Sequence, residues 1–171
     1  PNGVNKNIKI HSLKEKLCGK FRQNHFEAIA DVIDRFIKII KPKKIYMGEK
    51  DMQQLKIIED FVQINHPKIK VISCKTIREN NGLAYSSRNI LLTSNEKKIA
   101  IKVYKLLSSK KKVIINKSLP LYSVRKIIFS LSIKKIDYLK VYDINNLINK
   151  NKGSKNYRIF IAYYLGKTRL I

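Results

Sequence analysis

Apolar residues Phe26, Ile29, Ala30, Ile33, Ile37 and Ile40 recur at intervals of three and four. That spacing gathers them on one face of a helix and predicts one over about 25–40. Lys41-Pro42 should stop it, because proline disfavours helical backbone in the residue before it. A strand-like run over 44–48 ends at a glycine, and Met52, Leu55, Ile58, Phe61 and Val62 mark a second helix that stops near His66-Pro67. Residues 69–74 read as another strand. Strand, helix, strand with tight links is the pattern of a parallel α/β sheet, whose ligands bind at the carboxyl ends of the strands. Upstream, Val4, Ile8 and Ile10 fall on one face at period two and predict a short edge strand.

The pattern changes further along. Residues 75–92 show no clear period and read as a loop. Thr93-Ser94-Asn95-Glu96 has the capping-box arrangement and opens a helix to about Leu107. Leu121, Val124, Ile127, Ile128 and Leu131 mark another helix. Residues 136–144 and 157–165 read as strands, with 149–155 as the loop between elements. Two helices with two or three strands make a small α+β unit, so the expected division is 1–90 and 91–171, with no internal repeat.

Composition narrows the function classes. Hydrophobic residues make up 44% of the 171, enough for a core, which excludes a disordered tail. The formal net charge is +25, from 37 Lys+Arg against 12 Asp+Glu, so a polyanionic partner has to be weighed. Only seven of those cations are Arg, and the Lys are dispersed except for Lys110-Lys111-Lys112. Lys, Asn and Ile, all abundant, share AT-rich codons. The charge therefore reads as composition bias on solvated faces. Cys18 and Cys74 are too few for a disulfide framework and have no metal spacing, so reduced thiols in a cytoplasmic protein are expected. His11, His25 and His66 form no pair at ligand spacing, and no metal site is expected. His25 reads as a helix-entry residue. No apolar run is long enough to cross a membrane, and no signal peptide is visible.

Two segments carry candidate chemistry. In Gly48-Glu49-Lys50-Asp51, Gly48 lets backbone approach a nucleotide, Asp51 can accept both hydroxyls of a ribose, and Lys50 can reach phosphate oxygens. The alternative is a surface turn with Asp51 as a helix N-cap. Gln53 and Gln54 follow on the first helical turn. A site-facing Gln can both donate to and accept from a hydroxy acid, but Gln53 is expected to face solvent. In Gly82-Leu83-Ala84-Tyr85-Ser86-Ser87-Arg88-Asn89, the adjacent serines offer two hydroxyls and two N–H groups and Arg88 adds a planar donor fork. The alternative is a polar loop capping a helix. Ile77 can be an apolar wall for a purine or ordinary core.

In this order and spacing the segments resemble the pantothenate synthetase (pantoate–β-alanine ligase) family. The likeness also runs through Pro1-Asn2-Gly3, Gly19 with Arg22 and His25-Phe26, Lys41-Pro42, Arg78-Glu79, Leu92-Thr93 and the end, Gly166 with Thr168-Arg169-Leu170-Ile171. The resemblance implies the later part of a Rossmann-like nucleotide-binding domain followed by a small α+β domain, in a homodimer. It implies ATP, as its Mg2+ complex, with pantoate and β-alanine as substrates, a pantoyl-adenylate intermediate, and no tightly bound cofactor. It further implies ATP contacts at Gly48, Glu49, Lys50, Asp51, Ile77, Tyr85, Ser86, Ser87 and Arg88. Gln54 would be a pantoate ligand, and Lys50 and Arg88 catalytic charges.

The chain departs from the family at Gln23-Asn24, where Pro-Gly is usual, at Ala28, where Gly is usual, and at Tyr85, where an aliphatic residue is usual. The family's His-x-Gly-His motif and its N-terminal Pro-Thr-Met-Gly stretch do not occur in the 171 residues. The expectation is therefore a chain incomplete and inactive on its own. The alternatives are a basic nucleic-acid-binding module, which leaves the two segments unexplained, and a degenerate, non-catalytic remnant.

Overall fold

The computed structural model describes residues 8–148 and 155–171. These divide into two compact units: 8–75 with Leu147 and Ile148, and Thr76–Asn146 with 155–171.

In the first unit, helix α1 (His25–Ile40) buries Phe26, Ala30 and Ile37 on one face, and Asp31 to the side of it. It ends as the Lys41-Pro42 pair requires: Lys41 turns left-handed (φ 52°) and its N–H donates to the Ile37 carbonyl at 2.8 Å. Strand β1 (Lys44–Gly48), helix α2 (Met52–Asn65) and strand β2 (Lys70–Cys74) come next. The strands pair in parallel, from Lys44 opposite Lys70 to Gly48 opposite Cys74. Ala30 and Ile37 of α1 meet Ile58, Phe61 and Val62 of α2, and Ile45, Met47 and Val71 reach the same core from the strands. Full burial of Ile58, Phe61 and Val62 stabilises by roughly 1.5–3 kcal/mol each, and half-buried Ile45 and Met47 hold β1 on that core with Gly48 at its carboxyl end.

Ile8 and Ile10 join this core but form no strand. Their alternation reflects packing rather than pairing; Val4, the third residue of that expected strand, lies outside the described residues. In place of regular structure come two short 3-10 turns, Ser12–Glu15 and Leu17–Phe21. Such turns leave backbone groups without helical partners. Gln53 ties the two turns to α2: its Nε2 donates to the carbonyls of Leu13 (2.9 Å) and Lys16 (2.7 Å), each of which also accepts a backbone N–H, and its Oε1 accepts the Cys18 N–H at 3.0 Å. Gln53 is thus 6% exposed rather than solvent-facing. An amide that both donates and accepts is the side chain this junction needs.

In the second unit, helix α3 (Ser94–Ser109) opens with the expected capping box and runs two residues past Leu107. A short helix α4 (Lys111–Ile115) lies in the lysine run, and α5 (Leu121–Ser130) comes after it. Strands β3 (Lys135–Asp143), β4 (Tyr157–Leu165) and β5 (Thr168–Leu170) form an antiparallel sheet in the order β3-β4-β5. Ala100, Val103, Ile128, Leu139, Tyr163 and Leu165 are central to its core. The strand expected to reach Ile144 ends at Asp143, whose Oδ1 accepts the N–H groups of Asn145 (3.2 Å) and Asn156 (2.9 Å) and turns the chain. Those bonds, that of Asn156 foremost, hold the Asp143 carboxyl below its ordinary range. Of the loop expected over 149–155, all but Lys155 lies outside the described residues.

Two measurements check these packing arguments. Gln53→Ala removes three hydrogen bonds from a buried junction, although the Leu13 and Lys16 carbonyls keep the N–H groups of Lys16 and Gly19; it should lower urea-unfolding stability by about 1–3 kcal/mol, and a change below ~0.5 kcal/mol would refute the role. Asp34 accepts from Lys38 Nζ (2.6 Å) and His66 Nε2 (2.7 Å), joining α1 to the end of α2. Burial works against its charge, but these two bonds prevail and lower its pKa. A depressed carboxyl stabilises the fold above its ordinary value of 3.8 and loses that contribution as pH falls through the folded value. Asp34→Asn should therefore flatten the loss of stability below that pH, measured by chemical unfolding across pH 2–6.

Candidate functional site

Gly48 closes β1 with φ −75° and ψ 133°, extended backbone open to any residue. A Cβ built on it meets nothing within 4 Å. Neither strain nor internal packing asks for glycine here, so its effect is to leave the strand end clear for close approach from outside. Glu49–Asp51 form one 3-10 turn that leads into α2. Asp51 occupies the N-cap position of α2, yet its side chain makes no capping bond. The Asp51 carboxylate, the Lys50 ammonium and the Gln54 amide are half-buried and have no hydrogen-bond or ionic partner among the described residues.

The second segment, read as a loop for its lack of period, is a loop braced as a hairpin and followed by a 3-10 turn. Arg78 and Ala84 bridge across it. The Tyr85 N–H donates to the Ile77 carbonyl (3.1 Å), and the Glu79 N–H donates to the Leu83 carbonyl (2.8 Å). At the tip, Gly82 has φ +98°, and a Cβ there would lie 2.5 Å from the Tyr104 ring of α3. Only glycine fits both conditions. The Arg78 guanidinium lies 3.9 Å above the centre of that ring and donates from Nη1 to the Gly82 carbonyl at 3.1 Å.

Beyond the hairpin, Ser86 caps the 3-10 turn Ser87–Leu91, its Oγ accepting the Arg88 N–H at 3.3 Å. Asn89 Nδ2 donates back to the Ala84 carbonyl at 3.0 Å. Ser86 and Asn89 therefore build the turn, while the Ser87 hydroxyl and the Arg88 guanidinium are presented at its surface. Ile77 and Tyr85 are 73% and 62% exposed. Ile77 is therefore not core, which removes the bland reading of that side chain. Arg88 also lines a cavity of about 540 Å3 in the second unit, with Leu91, Glu96, Leu165, Lys167, Thr168 and Arg169.

Gly48, Glu49, Lys50, Asp51 and Gln54 thus share one turn of the first unit. Ile77, Tyr85, Ser86, Ser87 and Arg88 share one hairpin and turn of the second. His25 is the first residue of α1, as expected of a helix-entry residue, and Arg22 lies exposed before it. Cys18 is buried and Cys74 exposed, both free thiols. Sequence reasoning missed Tyr104 and the brace that Arg78 makes on it. The glycine at 82 was the available signal, because a turn glycine with φ > 0 needs something to hold it.

The sequence model of the family described as Pantoate-beta-alanine ligase matches residues 2–171. A pantothenate synthetase of Clostridium botulinum (strain ATCC 19397 / Type A) is 39% identical over 176 residues, covering 100% of this chain and 62% of the relative. One from Sulfurihydrogenibium sp. is 36% identical, covering 63% of the relative. The chain thus spans less than two thirds of the length of the relatives it matches. Among solved structures, pantothenate synthetase from Thermus thermophilus superposes with a TM-score of 0.85 at 26% identity, over 99% of this chain and 63% of that one. The Francisella tularensis pantoate-beta-alanine ligase, complexed with beta-gamma ATP and beta-alanine, gives 0.72 at 32% identity, over 96% and 57%. With a parallel β-α-β unit, an antiparallel α+β unit and both motif segments in place, the chain belongs to the pantoate–β-alanine ligase family.

Proposed function

We propose that the protein carrying this chain condenses pantoate with β-alanine at the expense of ATP. The carrying observation is the contrast within each motif. Asp51 stands at a helix N-cap without capping, and Lys50, Gln54, Ser87 and Arg88 sit on hydrogen-bonded turns without partners of their own among the described residues. A surface turn would use Asp51 to cap α2. A nucleotide site keeps it for a ribose.

In this reading a pantoate carboxylate oxygen attacks the α-phosphorus of ATP, and the bond from that phosphorus to the bridging oxygen breaks. Pyrophosphate leaves with the electron pair. The β-alanine amine then attacks the acyl carbon of pantoyl adenylate, loses a proton, and AMP departs. Gly48 and Asp51 hold the ribose, Ile77 and Tyr85 flank the base, and Gln54 binds pantoate. Ser86, Ser87, Arg88 and Lys50 hold the phosphates, with Glu49 in the same ATP-contacting turn. Mg2+ enters with ATP as part of the substrate. The chain's contribution to rate is positioning and charge stabilisation, since no covalent intermediate on the protein is needed. The reading also includes a Rossmann-like nucleotide domain, a homodimer and a cytoplasmic location. The Francisella relative, complexed with beta-gamma ATP and beta-alanine, supports the substrate assignment.

The test is pantoate-dependent exchange of labelled pyrophosphate into ATP. It is run on this chain alone and on the chain joined to the part of the Clostridium botulinum relative that lies outside the match. Exchange by the joined protein is expected; a folded joined protein that binds ATP yet shows none would overturn the reading. Within it, Lys50→Ala and Arg88→Ala should each slow exchange by roughly 10²–10³, the scale of one lost electrostatic partner at a transition state. Gly48→Ala should leave the melting temperature unchanged, since its Cβ meets no protein atom, while raising the Kd for ATP. Wild-type ATP affinity in that variant would remove Gly48 from the site.

A further inference from the structure

Two Asn-Gly pairs occur in the chain, Asn2-Gly3 and Asn81-Gly82. The second forms the tip of the braced hairpin, where Asn81 is exposed. An Asn-Gly pair has a chemistry of its own. A backbone nitrogen that has lost its proton can attack the side-chain amide carbon of the asparagine before it, and glycine puts no Cβ in the way. Here a bond forms from the Gly82 nitrogen to Cγ of Asn81, and the bond from Cγ to Nδ2 breaks. The departing nitrogen takes up a proton from water and leaves as ammonia. Water then opens the succinimide ring. Opening at Cγ gives aspartate; opening at the main-chain carbonyl gives isoaspartate, whose backbone runs through Cβ and Cγ. Asparagine and water go in, aspartate or isoaspartate and ammonia come out, and no other reactant is needed.

The hairpin both favours and restrains this reaction. The Leu83 N–H donates to Asn81 Oδ1 at 2.8 Å, a bond that stabilises negative charge as it forms on that oxygen. Asn80, the exposed neighbour, makes no such bond among the described residues and is followed by asparagine rather than glycine. The restraint lies on the nucleophile. The Gly82 N–H donates to the Glu79 carbonyl at 2.8 Å, and Asn81 Nδ2 donates to Glu79 Oε2 at 2.9 Å. Solvent base reaches the Gly82 proton only when the tip opens, as in amide hydrogen exchange. The brace holds the tip shut: Arg78 Nη1 bonds the Gly82 carbonyl at 3.1 Å while the guanidinium lies 3.9 Å over the Tyr104 ring.

We propose that Asn81 is a site of spontaneous deamidation in the folded protein, and that the stack of Arg78 on Tyr104 is the gate that sets its rate. Neither product fits the turn in which it forms. Aspartate loses the donor to Glu79 and sets two carboxylates against each other. Isoaspartate adds a backbone atom between the Glu79 carbonyl and the Gly82 N–H that now bond. Either change loosens the hairpin ahead of Ser86, Ser87 and Arg88, and neither reverses by itself.

The experiment incubates the folded 171-residue chain at mildly alkaline pH beside the same chain in urea. Peptide mass spectrometry with fragmentation follows Asn81 separately from Asn80, and enzymatic methylation scores isoaspartate. Asn81 should convert in the folded chain, ahead of Asn80, and roughly 10–100-fold more slowly than in urea, the scale of one cation–π contact with one hydrogen bond. Arg78→Ala and Tyr104→Leu, each checked for folding by circular dichroism, should each speed the folded-state conversion by about tenfold and leave the rate in urea unchanged. Asn2-Gly3 should keep the parent's rate in both variants. The converted fraction, separated by its added negative charge, should exchange amide hydrogens faster over 78–85 than the intact fraction. Equal rates in the folded chain and in urea remove the gate, as does a folded variant that converts no faster than the parent. Equal speeding at Asn2-Gly3 also removes it, since the loosening is then general. Conversion in the folded chain more than about a thousandfold slower than in urea, beyond what this brace can impose, removes the site. Should neither variant fold, the parent's two rates and the exchange of its converted fraction decide the proposal.

Discussion

The stack of Arg78 on Tyr104 is the contact on which the second motif depends. The hairpin at 78–84 has one bridge and a few backbone bonds, too little to hold a turn rigid by itself. The guanidinium closes it from above by bonding the Gly82 carbonyl while lying on the ring, and the ring closes it from below by filling the space a Cβ at Gly82 would take. A cation over an aromatic face contributes about 0.5–2 kcal/mol depending on desolvation. That is modest for a whole fold, but it acts on a short segment. Further along the chain, Asn89 bonds back to the Ala84 carbonyl at the end of the hairpin, and the Ser86 cap orders the residues between. Remove the stack and the serines keep their chemistry but lose their address.

The sequence reading succeeded where a periodic signal was long. Helices α1, α2, α3 and α5 and strands β1 to β4 each carry enough apolar positions for period and length to agree. It failed where the element is short or its partner is distant. Strand β5 has three residues, below what alternation can show, and exists because Leu165, Tyr164 and Tyr163 of β4 offer it an edge. Ile8 and Ile10 alternate like a strand but pack on α1 and α2 instead. Gln53 was misread for the same reason: its partners Leu13, Lys16 and Cys18 lie far back in the chain, in turns without a pattern. The motif segments themselves were legible because small, hydroxyl and cationic residues cluster there without serving any period.

Net charge of +25 looks at first like the dominant fact about this chain. The structure gives most of the named ion pairs ordinary work: Lys14 with Glu27, Arg35 with Asp31, Lys38 with Asp34, Lys56 with Glu59. In each of these the carboxylate is largely covered, so the lysine or arginine is occupied in holding the fold. Arg169 and Asp137 differ, because the Asp137 side chain is fully buried and its Oδ1 has no hydrogen-bond partner, with Lys135 Nζ at 3.9 Å. Breaking such a pair strands a charge and costs about 3–5 kcal/mol, so that arginine is committed to joining β5 to β3. The abundance of lysine therefore says little about function. Which cations lack a protein partner, and what surrounds them, says more.

Each motif divides into residues that build and residues that are presented. At 48–54, Gln53 is locked into three hydrogen bonds while its neighbour Gln54 makes none among the described residues, and the carboxylate at the N-cap declines the bond its position offers. At 82–89, Gly82, Ser86 and Asn89 form the scaffold, while Ser87 and Arg88 face outward. Adjacent residues of the same type thus do opposite things, Gln53 against Gln54 and Ser86 against Ser87. Composition and spacing cannot separate such pairs, because both members satisfy the motif. The backbone does: where a carbonyl or N–H lies within reach, the side chain is absorbed by the fold. Where none does, the donor or acceptor remains whole for a ligand; Ser86 stands between, its Oγ accepting the Arg88 N–H while its own O–H is left to donate.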